Sequence, residues 1–194
     1  MQKLVFATHN KHKIKEVGEL IGDKFQITDL KSIGITEDIP ETGDTLESNA
    51  RLKARYVHIH TGLDAFADDT GLEIEALNGQ PGVYTARYAG PECDSLLNMQ
   101  KMLNVLEDED NRRAKFRTVI CLIMGDNEYL FEGVVKGHIT RQMSGSEGFG
   151  YDPIFQPDGY KQTFAEMPIE LKNSISHRGQ AMNKLTDFLK EIYS

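Results

Sequence analysis

Short apolar runs alternate along the chain with segments whose apolar residues recur every three or four positions. A run of about 4–8 apolar residues bounded by turn residues is typical of a buried strand, and the wider spacing is typical of one face of a helix. The first pair is a strand over 3–7 and a helix with apolar positions between Ile14 and Ile21. We expect Asn10 to cap the start of this helix and Gly22 to end it.

The same alternation continues through the rest of the chain. Residues 25–30 predict a second strand. A helix follows, which begins with a capping box between Asp44 and Glu47 and runs to about His60, before Gly62. The remaining predicted elements are strands over 65–68, 72–76 and 83–88, a helix over 95–106, a hairpin of strands over 115–124 and 128–139, and a last helix from about Ser176. Strands that alternate with helices around a central hairpin predict an α/β domain with a mixed sheet.

Two of the predicted helices carry an apolar stripe that we expect to face the core. The stripe of the helix over 95–106 consists of Leu96, Leu97, Met102, Leu103 and Leu106, and that of the last helix consists of Ala181, Leu185, Phe188, Leu189 and Ile192. A chain of 194 residues is long enough for one such core, so we expect a single domain over 1–194.

Composition narrows the class of protein. Hydrophobic residues at 39% and charged residues at 27% are ordinary for a globular protein, and no apolar run approaches the roughly 20 residues that cross a bilayer. The first residues lack the pattern of a secretion signal, so we expect a cytoplasmic protein in which Cys93 and Cys121 are reduced. The net charge of -8 argues against a general nucleic-acid binder, because such proteins need an excess of Lys and Arg. We therefore expect neither nucleic acid nor membrane as a partner.

The first candidate site is the corner between the first strand and helix, which reads THNKHK from Thr8 to Lys13. Helix N-termini attract anions, and Lys11, Lys13 and Lys15 concentrate positive charge there. The corner matches neither the GxxxxGK[ST] loop nor the GxGxxG fingerprint. Lysine clusters are also typical of a solvated helix face, so phosphate binding and a plain surface helix both stay open at this point.

The second candidate site is ADDTG, in which Asp68 and Asp69 follow an apolar strand. Open α/β sheets present ligands beyond the carboxyl ends of their strands. Side chains in a regular strand alternate between faces, so one of the two carboxylates is expected to reach a shared site, and we favour Asp69. The same letters fit an Asx-turn that closes a hairpin, and the two interpretations are evenly balanced.

A further carboxylate, Glu41, lies in the loop before the helix that carries Asn49 and Lys53. Asn49 and Lys53 are four residues apart and therefore share a helix face. Mg²⁺ is typically held by one or two carboxylates while phosphates and waters fill its other positions, so Glu41 and Asp69 would suffice. The alternative for Lys53 is a surface salt bridge of little energetic weight.

Two motifs near the end of the chain carry aromatic and cationic groups. In GFGYDPIF, Phe149 stands in a backbone kept open by glycines, where it can stack on a nucleobase or form a hairpin corner. In KNSISHRGQA, His177 and Arg178 follow Ser176 at the start of the last helix. This His-Arg pair is either surface decoration or a set of hydrogen-bond donors that face a ligand.

Taken in order, five motifs resemble the inosine triphosphate pyrophosphatase family, the dITP/XTP pyrophosphatases. They are THNKHK, PETGDTLESNARLKA, ADDTGLEIEALNGQPGVYTARYAG, GFGYDPIF and EMPIELKNSISHRGQA, and together they cover the chain from the first strand to the last helix. The resemblance implies hydrolysis of ITP, dITP and XTP to the monophosphate and pyrophosphate, with Mg²⁺ as cofactor. It also implies a homodimer and an elongated mixed sheet with flanking helices and two lobes around a substrate cleft.

The resemblance also implies roles for individual residues. Asp69 is the implied general base and a magnesium ligand, Glu41 is the other ligand, and Lys13 and Lys53 neutralise charge on the polyphosphate. Whether Asp68 shares in activating the water stays open. The implied substrate contacts are Thr8, His9, Asn10, Lys11, His12, Lys13, Thr70, Phe149, Gly150, Tyr151, Asp152, Lys172, His177 and Arg178.

The chain departs from the family pattern at two positions. Family members commonly have Gly where this chain has His9, and often Ser where it has Thr70, which keeps the hydroxyl. His177 and Arg178 are the implied donors to the O6 atom of the purine. A Maf-like nucleotide pyrophosphatase and a non-catalytic nucleotide sensor are the competing interpretations. The SHR and FGYD motifs weigh against the first, and the pairing of Glu41 with Asp69 weighs against the second.

Overall fold

The computed structural model describes residues 2–21 and 25–193, so the predicted helix stop at Gly22 lies outside the described residues. Strands and helices alternate as the sequence predicts. The strands are β1 Gln2–Phe6, β2 Phe25–Asp29, β3 Ala65–Ile74, β4 Pro81–Gly82, β5 Arg113–Met124, β6 Asn127–Ile139 and β7 Phe155–Pro157. The α-helices are α1 Lys11–Ile21, α2 Leu46–Thr61, α3 Ser95–Val105, α4 Ile169–Ile175 and α5 His177–Ile192.

The described strands form one mixed sheet in the order β2-β1-β3-β5-β6-β7, with β4 paired to β3. β1 runs parallel to β2 and to β3. The chain passes from β1 to β2 through α1 and from β2 to β3 through α2, because parallel strands need such crossover connections. β4 and β7 are antiparallel to β3 and β6. The predicted α/β class with a mixed central sheet and flanking helices is confirmed.

The chain divides into two compact units. We call residues 1–69, 118–133 and 178–194 unit 1, and residues 70–117 and 134–177 unit 2. The strands β3, β5 and β6 each have residues in both units.

The core of unit 1 lies between the sheet and its helices. Phe6 of β1 and Phe66 of β3 are paired in register, and their rings stack with centroids 4.5 Å apart. From α5 the core receives Ala181, Leu185 and Leu189, which confirms most of the predicted stripe. Its last member, Ile192, is exposed instead.

The core of unit 2 centres on the rings of Phe116, Phe155 and Phe164. Met99 and Met102 of α3, and Leu106 directly after this helix, pack against it. The prediction that Leu96 and Leu97 belong to this face is wrong, because both are about half exposed. The spacing of the residues that are buried places these two leucines on the solvent side of the first turn.

Three local predictions differ from the structure. The capping box of α2 joins Thr45 and Ser48, and not Asp44 and Glu47, because the same spacing recurs one residue later with hydroxyls in both positions. The strands predicted over 65–68 and 72–76 are one continuous strand, β3. The strand predicted over 83–88 is wrong, since after β4 the chain enters a turn and a 3₁₀ helix at Thr85–Arg87.

Among the residues that the structure describes, no helix combines the length and the apolar character that a membrane span requires.

Candidate active site

The THNKHK corner is built around Asn10. Its side-chain Oδ1 accepts hydrogen bonds from the backbone N–H groups of His12 and Lys13 at 3.0 and 3.2 Å, while Thr8 Oγ1 accepts from the N–H of Asn10 at 3.1 Å. Asn10 is thus the N-cap of α1, as predicted. The side chains of Lys11 and His12 are exposed, whereas the ammonium of Lys13 is hydrogen-bonded to a carboxylate within unit 1.

His9 has a backbone partner of its own. Its ring Nε2 lies 3.1 Å from the carbonyl oxygen of Glu37, to which it donates a hydrogen bond. Glu37 belongs to the loop that leads to Glu41. The side chain of His9 therefore connects the THNKHK corner with the segment that carries a predicted metal ligand.

Asp68 is enclosed by cations. Its side chain is 2% exposed, and its two carboxylate oxygens lie 2.8 Å from Lys13 Nζ and 3.3 Å from Arg178 Nε. Burial disfavours the charged carboxylate, but Lys13, Arg178 and Lys53 together outweigh burial and hold the pKa of Asp68 well below its usual range. Asp68 is therefore ionised at every physiological pH.

Asp69 has a different environment although it is the next residue. It is 7% exposed, and its Oδ2 accepts a hydrogen bond of 3.1 Å from the Nδ2 of Asn49 on α2. Burial raises the pKa of Asp69 from 3.8 to about 6, with Lys53 opposing the rise and Glu41 adding to it. Because Asp68 contacts α1 and α5 while Asp69 contacts α2, the expected alternation of a strand is confirmed and the Asx-turn interpretation is wrong.

Lys53 interacts with Glu41 and with both aspartates, Asp68 and Asp69. It is 8% exposed, and its ammonium donates to the Glu41 carboxylate and, at 2.6 Å, to the backbone oxygen of Asp68. Burial alone would lower the pKa of Lys53, but Glu41, Asp69 and Asp68 outweigh it, and the pKa lies above its usual value. The alternative of a surface salt bridge is wrong, because this lysine is a buried cation.

The donor set of Glu41 and Asp69 fits a divalent cation that also binds substrate phosphates. The charge of Glu41 contributes to the raised pKa of Asp69, so the two carboxylates are close enough to repel each other and a shared cation would relieve that repulsion. Within 2–21 and 25–193, no three His, Cys, Asp or Glu side chains form a group that could hold a metal ion. A site with two protein carboxylates matches the way Mg²⁺ is held beside polyphosphates.

In unit 2, the carboxylate of Asp152 organises a second group of predicted residues. Its Oδ2 accepts from Lys172 Nζ at 2.8 Å and from the N–H of Phe149 at 2.7 Å. The ammonium of Lys172 lies 5.0 Å from the centre of the Phe149 ring and 6.0 Å from that of Phe164. These distances are in the range of cation–π attraction, so the carboxylate and the rings together fix the position of the lysine.

Gly148 makes this arrangement possible. Its φ is +75°, a conformation that side chains rarely adopt, and a Cβ built on it would lie 2.0 Å from the Oδ2 of Asp152. Glycine is therefore required by the approach of Asp152 as well as by the backbone angle.

Of the remaining predicted residues of unit 2, His177 and Tyr151 are buried, and Thr70 and Gly150 are half-buried. The His177 ring stacks on Phe116 with centroids 4.6 Å apart and planes within 13°, and it is 4% exposed. Tyr151 is buried too, and its hydroxyl donates to the backbone oxygen of Thr85 at 2.9 Å. Since His177 and Arg178 are both buried, their interpretation as surface decoration is wrong.

The predicted residues divide between the units. Unit 1 brings together Lys13, Glu41, Lys53, Asp68, Asp69 and Arg178, and unit 2 brings together Phe149, Asp152 and Lys172. The boundary falls inside two motifs, between Asp69 and Thr70 and again between His177 and Arg178.

Sequence reasoning assigned no role to two kinds of residue in these groups. The sequence places Asn49 on the same helix face as Lys53, but it gives no signal that the Asn49 amide donates a hydrogen bond to Asp69. The ring of Phe116 stacks on His177, and the ring of Phe164 lies beside the ammonium of Lys172. The positions of these two phenylalanines in the sequence carry no signal for either contact.

Comparisons with known proteins identify the family of the chain. The sequence model described as the Ham1 family matches residues 4–188. A Flavobacterium psychrophilum protein named dITP/XTP pyrophosphatase is 53% identical over 188 residues, 97% of this chain and 99% of that protein. A Porphyromonas gingivalis protein of the same name is 51% identical over 190 residues, 97% of this chain and 98% of that protein.

A solved structure supports the same assignment. The HAM1 protein from Coxiella burnetii is 41% identical, covers 98% of this chain and 100% of its own, and superposes with a TM-score of 0.91. The family match and the two relatives each extend over nearly the whole chain. The chain therefore belongs to the Ham1 family.

Proposed function

We propose that this protein hydrolyses non-standard purine nucleoside triphosphates, namely ITP, dITP and XTP, to the nucleoside monophosphate and pyrophosphate. The names of the full-length relatives support this reaction. The observation that carries it is the contrast between adjacent carboxylates: Asp68 is held ionised beneath Lys13 and Arg178, while the pKa of Asp69 is raised to about 6. Two titratable groups whose environments separate their pKa values are typical of an acid–base site.

The triphosphate is bound by groups of unit 1. Thr8 to Lys13 supply hydroxyl, amide, imidazole and ammonium donors at the start of α1, where the helix dipole also favours an anion. The ion pair with Asp68 holds the ammonium of Lys13 in one place, so little side-chain entropy is lost when a phosphate arrives. Lys53 adds a buried positive charge.

Asp69 accepts the proton of the attacking water. Without a bound cation, the pKa of about 6 leaves Asp69 ionised at neutral pH and more basic than an ordinary aspartate, which favours proton transfer. A bound Mg²⁺ would lower this pKa, because a nearby positive charge favours the ionised carboxylate. Asp68 cannot take this role, because its ion pairs hold its pKa well below the usual range. Asp68 instead orients Lys13 and Arg178.

Mg²⁺ is the proposed cofactor, with Glu41 and Asp69 as its protein ligands. When bound it would supply a Lewis acid that neutralises negative charge on the phosphoryl group. The protein's own contribution is to hold the buried Asp69 and the half-buried Glu41 beside the buried ammonium of Lys53, where electrostatic attraction is stronger than in water.

The purine is recognised by unit 2 and the start of α5. Phe149 offers a ring on which a base can stack, with Lys172 fixed beside it by Asp152, while Thr70 and the Gly150–Tyr151 backbone add polar contacts. Donors from His177 and Arg178 form hydrogen bonds to the purine O6, which is an acceptor. Adenine carries a 6-amino group in its place, which is itself a donor, so these hydrogen bonds cannot form. Guanine also carries O6, so we attribute its rejection to steric exclusion of the 2-amino group.

We further propose that the chain works as one domain over 1–194, as a homodimer in the cytoplasm. The family model that matches residues 4–188 as one unit supports the single domain.

The test is a nucleotide panel with separate detection of pyrophosphate and orthophosphate. We expect Mg²⁺-dependent pyrophosphate release from ITP and XTP far faster than from ATP and GTP. Asp69→Asn should nearly abolish release, while Asp108→Asn, which alters an exposed aspartate of the same chain, should not. Equal rates on all four nucleotides, or release of orthophosphate, would refute the proposal.

A further inference from the structure

Asn49 is a fully buried amide that connects two parts of unit 1. It is 0% exposed and is the fourth residue of α2. Its Nδ2 donates to the Oδ2 of Asp69 at 3.1 Å, and its Oδ1 accepts from the backbone N–H of Gly43 at 2.8 Å. One side chain therefore holds both the carboxylate on β3 and the loop before α2.

The loop approaches Asn49 so closely that position 43 has no space for a side chain. A Cβ built on Gly43 would lie 2.7 Å from the Oδ1 of Asn49 and 2.1 Å from the Oγ of Ser48. Glu41 is two residues upstream of Gly43, and its carboxylate is paired with Lys53 one turn further along α2. The position of Glu41 is thus fixed on the same helix that fixes Asp69.

We infer that Asn49 is a positioning residue that sets the separation of the Glu41 and Asp69 carboxylates and thereby assembles the cation site. The inference rests on the proposed function, which assigns those two carboxylates to Mg²⁺. The amide suits this task because it offers a donor and an acceptor in one rigid plane, which neither an aliphatic nor an ionised side chain of that size does. Hydrogen-bond partners that orient metal ligands typically change metal affinity or activity by about 10–100-fold when they are removed.

Asn98 provides an internal control of the same geometry. It is the fourth residue of α3, is 3% exposed, and accepts from the N–H of Ala89 at 2.6 Å while donating to the backbone oxygen of Ala86 at 2.7 Å. Both of these asparagines connect a helix to a neighbouring loop. They differ in the group that accepts from the amide Nδ2, which is a backbone carbonyl for Asn98 and the carboxylate of Asp69 for Asn49. Loss of Asn98 reports the structural cost of removing such a side chain.

The experiment compares Asn49→Ala with Asn98→Ala in the full-length protein. Mn²⁺, which prefers the same oxygen ligands, is titrated into the nucleotide-free protein and followed by electron paramagnetic resonance. We expect Asn49→Ala to weaken Mn²⁺ binding by about 10–100-fold, and Asn98→Ala to lower the melting temperature while leaving Mn²⁺ affinity unchanged. In pyrophosphate release from ITP, Asn49→Ala should require more Mg²⁺, with the KM for ITP at saturating Mg²⁺ unchanged.

Wild-type Mn²⁺ affinity in Asn49→Ala, or equal weakening in both variants, would overturn the inference. Should Asn49→Ala fail to fold, Asn49→Ser keeps a small polar residue in the helix, and unchanged Mn²⁺ affinity in that variant overturns the inference equally. The proposed function can fail independently of this inference. The wild-type protein could bind Mn²⁺ more tightly than Asn49→Ala and still release no pyrophosphate from any nucleotide. That result would refute the proposed reaction and support the role of Asn49.

Discussion

Replacing Asp68 with asparagine should destabilise the protein, whereas the same replacement at Asp69 should stabilise the metal-free protein at alkaline pH. The two residues are consecutive and both buried, so burial alone predicts the same effect. Their partners differ: Asp68 accepts from Lys13 and Arg178, and Asp69 accepts from Asn49 beside the carboxylate of Glu41.

The cost at Asp68 follows from the cations that lose their counter-charge. Removing one member of a buried ion pair typically costs about 3–5 kcal/mol, because the remaining charge stays buried. The side chain of Arg178 is 4% exposed and that of Lys13 is 15% exposed, so partial solvation of the lysine places the cost near the lower figure of about 3 kcal/mol. Because the pKa of Asp68 lies well below its usual range, this cost should be the same at pH 5 and at pH 8.

The gain at Asp69 has the opposite sign. Its folded-state pKa is raised from 3.8 to about 6, so folding stability is lost as the pH rises through this window. The rise corresponds to about 3 kcal/mol once both the folded and the unfolded states are ionised. An asparagine at this position keeps an oxygen that accepts from Asn49 and carries no charge, so the variant should be more stable than wild type at pH 8, with the difference vanishing near pH 4.

Urea unfolding followed by far-ultraviolet circular dichroism, with EDTA present, measures both effects. The free energies of unfolding of the wild type, Asp68→Asn and Asp69→Asn are compared at pH 4, pH 5 and pH 8. If both variants shift this free energy in the same direction at pH 8, the assignment of separate electrostatic roles to the two aspartates is wrong.

Two further outcomes are expected. Gly148→Ala should reduce kcat/KM for ITP by about 10–100-fold, because the new Cβ would displace the Asp152 carboxylate. Gly159→Ala is the control for backbone strain, because Gly159 has a similar φ of +85° but open space where the Cβ would lie. Equal losses of kcat/KM in the two variants would contradict the clash with Asp152. Cys93 is exposed and should react with Ellman's reagent in the native protein, whereas Cys121 is buried with its pKa raised to about 12 and should react only after unfolding; two fast thiols would contradict this.

Elements with a local signal were predicted well from the sequence. The cap at Asn10 and the hairpin of β5 and β6 depend on residues close together in the chain, and the structure confirms both. The capping box of α2 was misplaced by one residue, because Asp44 and Thr45 are both good N-caps and only the geometry decides between them. Local propensity thus predicted which elements form better than where each begins.

The ADDTG segment shows what local signals cannot provide. Asp-Thr-Gly favours a turn, yet β3 passes straight through it, paired with β1 at its start and with β4 after it. Asp68 is stabilised in that strand by Lys13, which is 55 residues away in the sequence, and by Arg178, which is 110 residues away. Contacts of such separation leave no pattern in the surrounding residues, so neither the continuation of the strand through residues 69–71 nor the pKa difference between the aspartates was predictable.

The same ion pairs explain how a corner without glycine can serve as a phosphate site. A glycine-rich loop binds phosphate through backbone N–H groups that the loop holds in fixed positions. In the corner from Thr8 to Lys13, the backbone N–H groups of His12 and Lys13 already donate hydrogen bonds to Asn10. Side chains must then provide the donors, and a lysine gains little from a phosphate unless its rotamers are restricted beforehand. A buried carboxylate next to a polyphosphate site is unfavourable by charge alone. Asp68 fits such a site for two reasons. It holds Lys13 in position, and the three positive charges of Lys13, Arg178 and Lys53 around it outnumber its single negative charge.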